Sequence, residues 1–278
     1  MPLRYLLILG AIASASFAEA EELTVVSYNM KHGRGVDGVV DLSRQAALLA
    51  SLDADIIALQ EVDLANRRTG FEDQTARLAE MISEGTGARW RHLDAPAIAY
   101  EGGFYGNGVL FNDDLLDVVD HWILALPGSR RGDGARSAGI TWFRFEDDRK
   151  ILFATTHLTQ KNKVKKDGST FQIDSIEKID AAMEIGLPSI IAGDFNASVH
   201  ADDARNIDTM MTLDSMGWRV DSPVDGSTTS TDGPIVVDHI VSRNTDGWEV
   251  VDSYIATFEP AAMASDHFPV VVTYRLPD

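Results

Sequence analysis

Apolar positions beyond residue 20 follow two periods, which predict a chain of alternating strands and helices. Runs rich in β-branched and apolar residues predict strands at residues 23–30, 55–59, 105–111, 116–124, 139–145, 151–157, 189–192, 235–242, 248–254 and 269–274. Apolar residues at helical spacing predict helices at residues 41–50, 72–84, 171–183 and 202–216. The strands are too many for one doubly wound sheet, so the pattern favours an α/β fold of two packed sheets flanked by helices.

The first twenty residues differ in kind from the rest. Arg4 precedes an apolar run at residues 5–13, and small residues lead to the sequence AEA at residues 18–20, which is the order of a secretory signal peptide. The run is too short to span a bilayer comfortably, although an uncleaved anchor is an alternative. We therefore expect residues 1–20 to be a signal peptide, residues 21–278 to form one domain, and the protein to be exported to the periplasm or the extracellular space.

The amino-acid composition excludes some kinds of catalytic and metal site and disfavours one class of partner. The chain has no cysteine, which excludes cysteine nucleophiles and thiolate metal sites. Its 24 basic and 43 acidic residues give a net charge of −19, and tight nucleic-acid binders usually show a basic face. Nucleic acid is therefore a possible but disfavoured partner. Clustered acidic residues can hold hard cations, and those cations attract a phosphate that the surface as a whole repels.

The most informative stretch reads IIAGDFN at residues 190–196. A short apolar strand ends in a glycine, and alternation along an extended chain would point Asp194 and Asn196 the same way, at the edge where open α/β sheets bind ligands. A turn that closes the strand accounts for the same two residues equally well.

Other predicted strands also end in polar residues, each with a simpler structural interpretation. Asn29 suits a turn, Glu61 suits a solvated strand end, and His157 suits a hydrogen-bonded core histidine. Asp238 is harder to dismiss, because it puts a carboxylate inside an apolar strand, and a buried charge is costly unless it is paired or bound to metal. Asp266 and His267 add another adjacent acid and imidazole before the last strand.

Taken together, these side chains are typical of a metal-assisted attack of water on phosphorus. Oxygen-rich ligands without cysteine favour Mg²⁺, Mn²⁺ or Ca²⁺ over zinc. Histidine and asparagine can donate to phosphate oxygens, and a carboxylate can orient or deprotonate water.

The motifs, in this order, resemble the endonuclease/exonuclease/phosphatase superfamily, which includes the DNase I-like nucleases, inositol polyphosphate 5-phosphatases and bacterial sphingomyelinases. They extend over nearly all of residues 21–278 and comprise Asn29, Gln60-Glu61, YGNG at residues 105–108, THL at 156–158, GDFN at 193–196, Asp238-His239 and SDHFP at 265–269. The glycine-rich loop after Asn29 and the sequence NRRTG at residues 66–70 resemble the bacterial exported branch more than the DNA-repair enzymes. The resemblance implies a DNase I-like four-layer sandwich, with two mixed sheets between helices.

The resemblance also implies a role for each residue. Glu61 is expected to be the principal Mg²⁺ ligand, with Mn²⁺ as a possible substitute. Asn29 is expected beside it, and Asp266 close to the ion, directly or through water. The expected catalytic residues are Asp194 as the group that positions or deprotonates water, Asn196 as a ligand of the scissile phosphate, His157 and His267 as donors to phosphate oxygens, and Asp238 as the partner that keeps His267 charged.

The chain departs from the family pattern at one position and has two basic segments of open function. Many members carry arginine where this chain has Val237, and either Arg131 or Arg136 could replace it, although a solvated loop explains both equally well. The basic run at residues 161–166 could bind a second phosphate or a lipid headgroup region, although most charge runs are solvated faces.

The sequence therefore predicts an exported, Mg²⁺-dependent phosphoester hydrolase, a phosphodiesterase or phosphatase that acts on a small or lipid-derived phosphoester. A secreted Mg²⁺-dependent endonuclease is the alternative. A non-catalytic binding module on the same scaffold would be favoured if key ligands were missing, and none is.

Overall fold

The computed structural model describes residues 21–128, 135–160, 164–165, 168–200, 204–230 and 235–277, with the side chains of residues 204–206 not described.

The first sheet has six strands: β1 (Glu22–Asn29), β2 (Ile56–Leu64), β3 (Trp90–Tyr100), β4 (Gly103–Asn112), β11 (Glu249–Ile255) and β12 (Val270–Arg275). They lie in the order β11-β12-β1-β2-β4-β3. Strands β1 and β2 are parallel, and the other neighbours are antiparallel.

The second sheet also has six strands: β5 (Leu116–Leu126), β6 (Arg136–Phe145), β7 (Lys150–His157), β8 (Ser189–Asp194), β9 (Arg219–Val220) and β10 (Asp238–Arg243). They lie in the order β5-β6-β7-β8-β10-β9. Strands β7 and β8 are parallel, and the other neighbours are antiparallel. Both sheets are therefore mixed.

Alternation along the central strands builds a layered core. In β1, Val25 faces the second sheet and Val26 faces the helices, because successive side chains point to opposite faces. The inner layer contains Phe111 and Phe143, whose ring centroids lie 5.2 Å apart. The sheets thus bury both of their faces, which explains why their strands read as almost continuous apolar runs.

Helices cover the outer face of each sheet. Helices α1 (Leu42–Ala50) and α2 (Gln74–Thr86) pack on the first sheet, and α3 (Phe171–Ala182) and α4 (Ala204–Ser215) pack on the second. Side-chain oxygens of Asp41, Asp73 and Thr170 accept hydrogen bonds from backbone N–H groups in the first turns of α1, α2 and α3. A short helix α5 (Ala261–Ala264) precedes β12. The predicted four-layer α/β sandwich is confirmed.

The structure differs from the predicted elements at one strand that was not predicted and at two predicted strand boundaries. The pattern did not predict β3 as one strand, since it contains Pro96 and pairs only with β4 across a bulge between Pro96 and Ile98, as an edge strand can. Strand β2 continues past Glu61 instead of ending before it. Strand β10 begins at Asp238, so this carboxylate lies at the strand start instead of its middle.

The predicted signal peptide at residues 1–20 lies outside the described residues. Within the described part of the chain, none of the helices has the length and apolar character needed to cross a bilayer.

Candidate active site

Backbone pairing brings three of the predicted residues to one edge of the second sheet. His157 is the last residue of β7, Asp194 is the last of β8, and the two are register partners in a parallel pair. Asp238 is the first residue of β10 and pairs with Asp194 from the antiparallel side. The carboxyl ends of β7 and β8 and the start of β10 therefore meet at one point.

Gly193 lets the strands come this close together at the site. A Cβ atom at this position would lie 2.1 Å from the backbone oxygen of Thr156, so any side chain would push β7 and β8 apart. The glycine of the GDFN motif is thus a packing requirement of the site.

Asn196 lies in a turn, because β8 ends at Asp194. Of the two alternatives for this stretch, the turn is the one that the structure shows. The Asn196 backbone N–H donates to Asp194 Oδ1 at 2.9 Å, and its φ of 48° lies in the left-handed region that asparagine tolerates. Its side-chain Nδ2 donates to the Leu158 carbonyl at 3.0 Å. The stretch is a turn, and the turn places the carboxamide next to the candidate catalytic carboxylate.

Asn29 joins the two sheets at the site. Its Nδ2 donates to Glu61 Oε1 at 3.2 Å and to Asp194 Oδ2 at 3.0 Å, although Glu61 and Asp194 belong to different sheets. Asn29 is the last residue of β1 and lies opposite Gln60 in the register of the parallel pair. One buried carboxamide thus fixes the distance between the candidate metal ligand and the candidate base.

Glu61 occupies a β-bulge in β2. The pairing of β2 with β4 shifts between Gln60 and Val62, and the φ of Glu61 is 59°. A non-glycine residue in this conformation costs free energy and tends to be found where function requires it. The bulge turns the carboxylate toward Asn29.

Asp194 is almost fully buried between two imidazoles. His157 Nε2 lies 3.4 Å and His267 Nε2 lies 3.9 Å from Asp194 Oδ2. Burial raises the pKa of Asp194, while the adjacent histidines oppose the increase. Burial lowers the pKa of His157 to about 4, so its imidazole is neutral at physiological pH.

His267 carries the opposite charge state from His157. Its Nδ1 lies 2.8 Å from Oδ2 of the fully buried Asp238. Burial alone would lower the pKa of His267, but the Asp238 carboxylate outweighs that effect and raises it to about 10. The backbone N–H groups of Val237 and Asp238 both donate to the Thr228 hydroxyl, which holds the start of β10 in place.

Asp266 is brought to the site by its neighbour Ser265, whose hydroxyl donates to the Asn29 carbonyl at 2.8 Å. Its carboxylate forms an ion pair with the Lys31 ammonium, and the Lys31 backbone N–H donates to Asn29 Oδ1 at 3.2 Å. Sequence reasoning did not assign a function to Lys31. Its position two residues after Asn29, in a loop already identified as glycine-rich, was the available signal.

Two further residues face the site without an assigned role. Burial raises the pKa of Tyr105, and the nearby Glu61 carboxylate raises it further. The positive charge of Arg136 opposes this increase in the pKa of Tyr105, and it also helps to lower the pKa of His157. Arg136 therefore lies within electrostatic reach of the site, whereas Arg131 and residues 161–163 lie outside the described residues.

The donor set fits a hard divalent cation. Glu61 supplies carboxylate oxygens and forms no ion pair with any residue that the structure describes. Asn29 turns its Nδ2 toward Glu61 and its Oδ1 toward the Lys31 backbone N–H, so its oxygen would face an ion beside Glu61 only after the carboxamide rotates. Asp194, Asp238 and His267 also bring ligand atoms within 4.8 Å of one another and could hold an ion. In the structure, however, the Asp238 and His267 atoms face each other in a hydrogen bond.

Solved structures with the same fold come from bacteria and human. An endonuclease/exonuclease/phosphatase from Beutenbergia cavernae DSM 12333 is 21% identical, with a TM-score of 0.74 over 92% of this chain and 72% of that chain. A mannosyl-6-phosphatase from Bacteroides thetaiotaomicron VPI-5482 is 19% identical, with a TM-score of 0.63 over 91% and 98% of the two chains. The human Nocturnin catalytic domain is 17% identical, with a TM-score of 0.64 over 91% and 94%.

No curated protein sequence matches the chain. The sequence profile of the Endonuclease/Exonuclease/phosphatase family matches residues 26–267, which include every residue of the candidate site. The chain belongs to the endonuclease/exonuclease/phosphatase family.

Proposed function

We propose that this protein is an exported, Mg²⁺-dependent phosphoester hydrolase in which Asp194 activates water. The observation that carries the proposal is the convergence on Asp194, where Asn29, His157 and His267 all lie within 3.9 Å of Oδ2. Catalytic groups must come within hydrogen-bond reach of one substrate, and these groups satisfy that requirement. The family is generally hydrolytic, has phosphatase and nuclease members, and generally uses divalent metal ions.

The buried carboxylate of Asp194 is suited to accept a proton. Burial raises its pKa above the usual range of an aspartate, which makes the ionised form a stronger base. The two hydrogen bonds from Asn29 Nδ2 and from the Asn196 backbone N–H hold both of its oxygens in fixed directions. A water molecule placed against Oδ2 would therefore be oriented before it reacts.

The two histidines differ in charge, and each suits a different task. His267, kept protonated by Asp238, offers a fixed positive charge to the phosphoryl oxygens as negative charge grows on them. His157 is neutral and can donate a hydrogen bond without adding charge beside Asp194. Glu61 and Asn29 would hold the divalent ion, which when bound supplies Lewis-acid stabilisation of a phosphoryl oxygen.

The proposed reaction is a single hydrolysis step. Water forms a new bond to phosphorus, its proton passes to Asp194, and the bond between phosphorus and the ester oxygen breaks. The leaving oxygen takes a proton from solvent and departs as an alcohol. The phosphoryl product carries one more ionisable oxygen than the substrate.

A small or lipid-derived phosphoester is the substrate class that we propose. The net charge of −19 repels a polyanion, and charge repulsion weighs least on a substrate with a single phosphate. One protein of the same fold, from Bacteroides thetaiotaomicron, is a mannosyl-6-phosphatase, and this likeness supports a phosphatase activity on the shared scaffold.

The proposed function is tested by incubating the purified protein and Mg²⁺ separately with plasmid DNA, sphingomyelin, inositol phosphates and a generic phosphodiester, and measuring hydrolysis of each. We expect hydrolysis of a small or lipid phosphoester that is lost with EDTA and with Asp194→Ala. Plasmid nicking that disappears in Asp194→Ala would favour the endonuclease alternative. No hydrolysis of any substrate, with Mg²⁺ binding intact, would favour a binding module.

A further inference from the structure

Lys31 places an ammonium group against one of the predicted metal ligands. Its Nζ pairs with Asp266 Oδ2, and the two side chains are separated by 235 positions along the chain. Both partners are partly buried, with 35% and 25% of their side chains exposed. Because the pair lies beside Asn29 and Asn29 bonds to Glu61, the ammonium is part of the proposed metal end of the site.

The backbone that presents Lys31 is strained and well supported. Lys31, His32 and Gly33 have φ values of 47°, 46° and 83°, and the first two are unusual for residues with a side chain. Such a conformation persists only where the surroundings enforce it. The loop thus fixes the direction in which the Lys31 side chain leaves the backbone, and the ion pair with Asp266 places its ammonium at the site.

The buried Gln74 supplies that support. Its Nε2 donates to the His32 carbonyl at 2.9 Å, and its Oε1 accepts from the Asp63 backbone N–H at 2.9 Å. A Cβ atom at Gly33 would lie 3.1 Å from Leu42 and 3.2 Å from Val40. The loop is therefore packed tightly against the start of α1 and the residues just before it. The loop is therefore tied to the same strand, β2, that carries Glu61.

The four carboxylates of the site are in unequal states. Asp266 pairs with Lys31, Asp238 pairs with His267, and Asp194 lies between His157 and His267. Glu61 alone among the four has no ion pair with the residues that the structure describes. A second divalent ion next to Asp266 would have to displace the ammonium or be repelled by it.

We propose that Lys31 is a built-in cation that occupies the Asp266 end of the site and limits the protein to one divalent ion, bound at Glu61 and Asn29. The inference rests on the proposed function, because it assigns the metal content of the same site. Lys31 is a positioning residue in this scheme: it neutralises Asp266 and keeps that carboxylate from acting as a ligand. The site then uses one divalent ion and one ammonium where two ions could otherwise bind.

The test counts bound Mn²⁺ by electron paramagnetic resonance, which reports free Mn²⁺ and needs no turnover. The parent protein of this test and all of its variants carry His92→Ala, because Asp73, His92 and Asp94 form a separate cluster, with ligand atoms within 4.8 Å, that could also bind an ion. Lys31→Gln removes the charge at similar length and the same backbone strain, and Lys31→Arg keeps the charge. Thermal melting checks that every variant is folded.

We expect one bound ion in the parent protein and in Lys31→Arg, two in Lys31→Gln, and one again in Lys31→Gln combined with Asp266→Asn. Two ions in the parent, none in the parent, or one ion in Lys31→Gln with unchanged affinity would each overturn the proposal.

If Lys31→Gln does not fold, anomalous diffraction from Mn²⁺-soaked crystals of the parent decides. One peak beside Glu61 supports the proposal, and a peak on Asp266 overturns it.

The outcome separates this inference from the proposed function. If the parent protein binds one ion, Lys31→Gln binds two, and the parent hydrolyses no phosphoester, the inference about Lys31 is supported and the proposed function is contradicted. An active hydrolase that binds two ions at the site would do the reverse.

Discussion

His267 Nδ1 and Asp238 Oδ2 lie 2.8 Å apart, in a site where burial would otherwise leave the imidazole neutral. The pair keeps His267 charged while His157, on the other side of Asp194, is neutral. Two residues of one chemical type therefore have different charge states at the same carboxylate. Their environments assign the roles: a fixed positive charge for His267 and a neutral donor for His157.

The first prediction concerns this pair. Asp238→Asn keeps the shape of the side chain but removes the charge that sustains the imidazolium, so we expect kcat to fall by roughly a hundredfold, the scale of one lost charge-stabilising group. Steady-state kinetics with the substrate found active would measure it. Asp252→Asn, an exposed change on β11, is the control and should leave kcat unaltered. A loss in Asp238→Asn of less than about threefold, far below that scale, would show that the pair does not support catalysis.

The second prediction concerns metal activation. Glu61→Gln replaces the proposed principal ligand with a neutral one, so we expect the midpoint of the Mg²⁺ titration to rise by about tenfold or more. Activity measured against Mg²⁺ concentration gives the midpoint. Glu80→Gln, on the exposed face of α2, serves as the matched change. If both variants show the wild-type midpoint, Glu61 is not the ligand.

The third prediction concerns stability beside the site. Arg68 makes two hydrogen bonds of 2.7 Å to the fully buried Asp63, and its guanidinium lies 4.8 Å from the ring centroid of Tyr100. Arg68→Ala leaves the buried Asp63 carboxylate without its cationic partner, so we expect the free energy of unfolding to fall by about 3 kcal/mol. Urea unfolding would measure the change.

The double variant Asp63→Asn with Arg68→Ala is the control for the stranded charge. Because it leaves no unpaired carboxylate in the core, it should be more stable than Arg68→Ala alone. If the double variant is less stable than Arg68→Ala, the unpaired carboxylate is not the cause of the lost stability. The loss would then come from the packing of Arg68 against Tyr100.

The fourth prediction concerns pH. Burial raises the pKa of Asp55 to about 6, against the lowering effect of the Thr24 backbone N–H, which donates to Asp55 Oδ2 at 2.8 Å. The folded protein therefore binds this proton more tightly than the unfolded chain, whose aspartate has its ordinary pKa near 3.8. The stability that the protonated group contributes is present at about pH 4 and is lost as the pH rises through about 6.

Asp55→Asn should remove this dependence. The free energy of unfolding of the variant, minus that of the wild type, should increase by about 2 kcal/mol between about pH 4 and pH 7. Urea unfolding at several pH values in that range tests it. A difference that stays constant with pH would mean that the Asp55 pKa is not raised in the folded protein.

The sequence predicted most strands, the four main helices and the layered architecture, because burial on both sheet faces leaves apolar runs that are easy to recognise. The local geometry of the site was harder to predict. Glu61 has a φ of 59° in a bulge, a conformation that glutamate disfavours and that the pairing of β2 with β4 imposes. Asn196 lies in a left-handed turn that asparagine tolerates, and the sequence left that turn and a continued strand as equal alternatives.

Long-range contacts account for the rest. Lys31 meets Asp266 across 235 positions, and Asn29 meets Asp194 across 165. A lysine in a polar loop has no feature that indicates such a partner, so its place in the site emerges only after both sheets have packed. The order of polar strand ends predicted which residues converge, but the structure was needed to see which carboxylates are already paired.

Asp194 is the residue on which the proposed hydrolysis depends most. Its role is tested by the rates at which wild type and Asp194→Ala hydrolyse the phosphoester found active, with saturating Mg²⁺. We predict a loss of at least about a hundredfold in kcat, the scale of losing a catalytic acid–base group. An equal melting temperature would show that the variant is folded. A loss of about tenfold or less, below that scale, would contradict the assignment of Asp194 as the group that activates water.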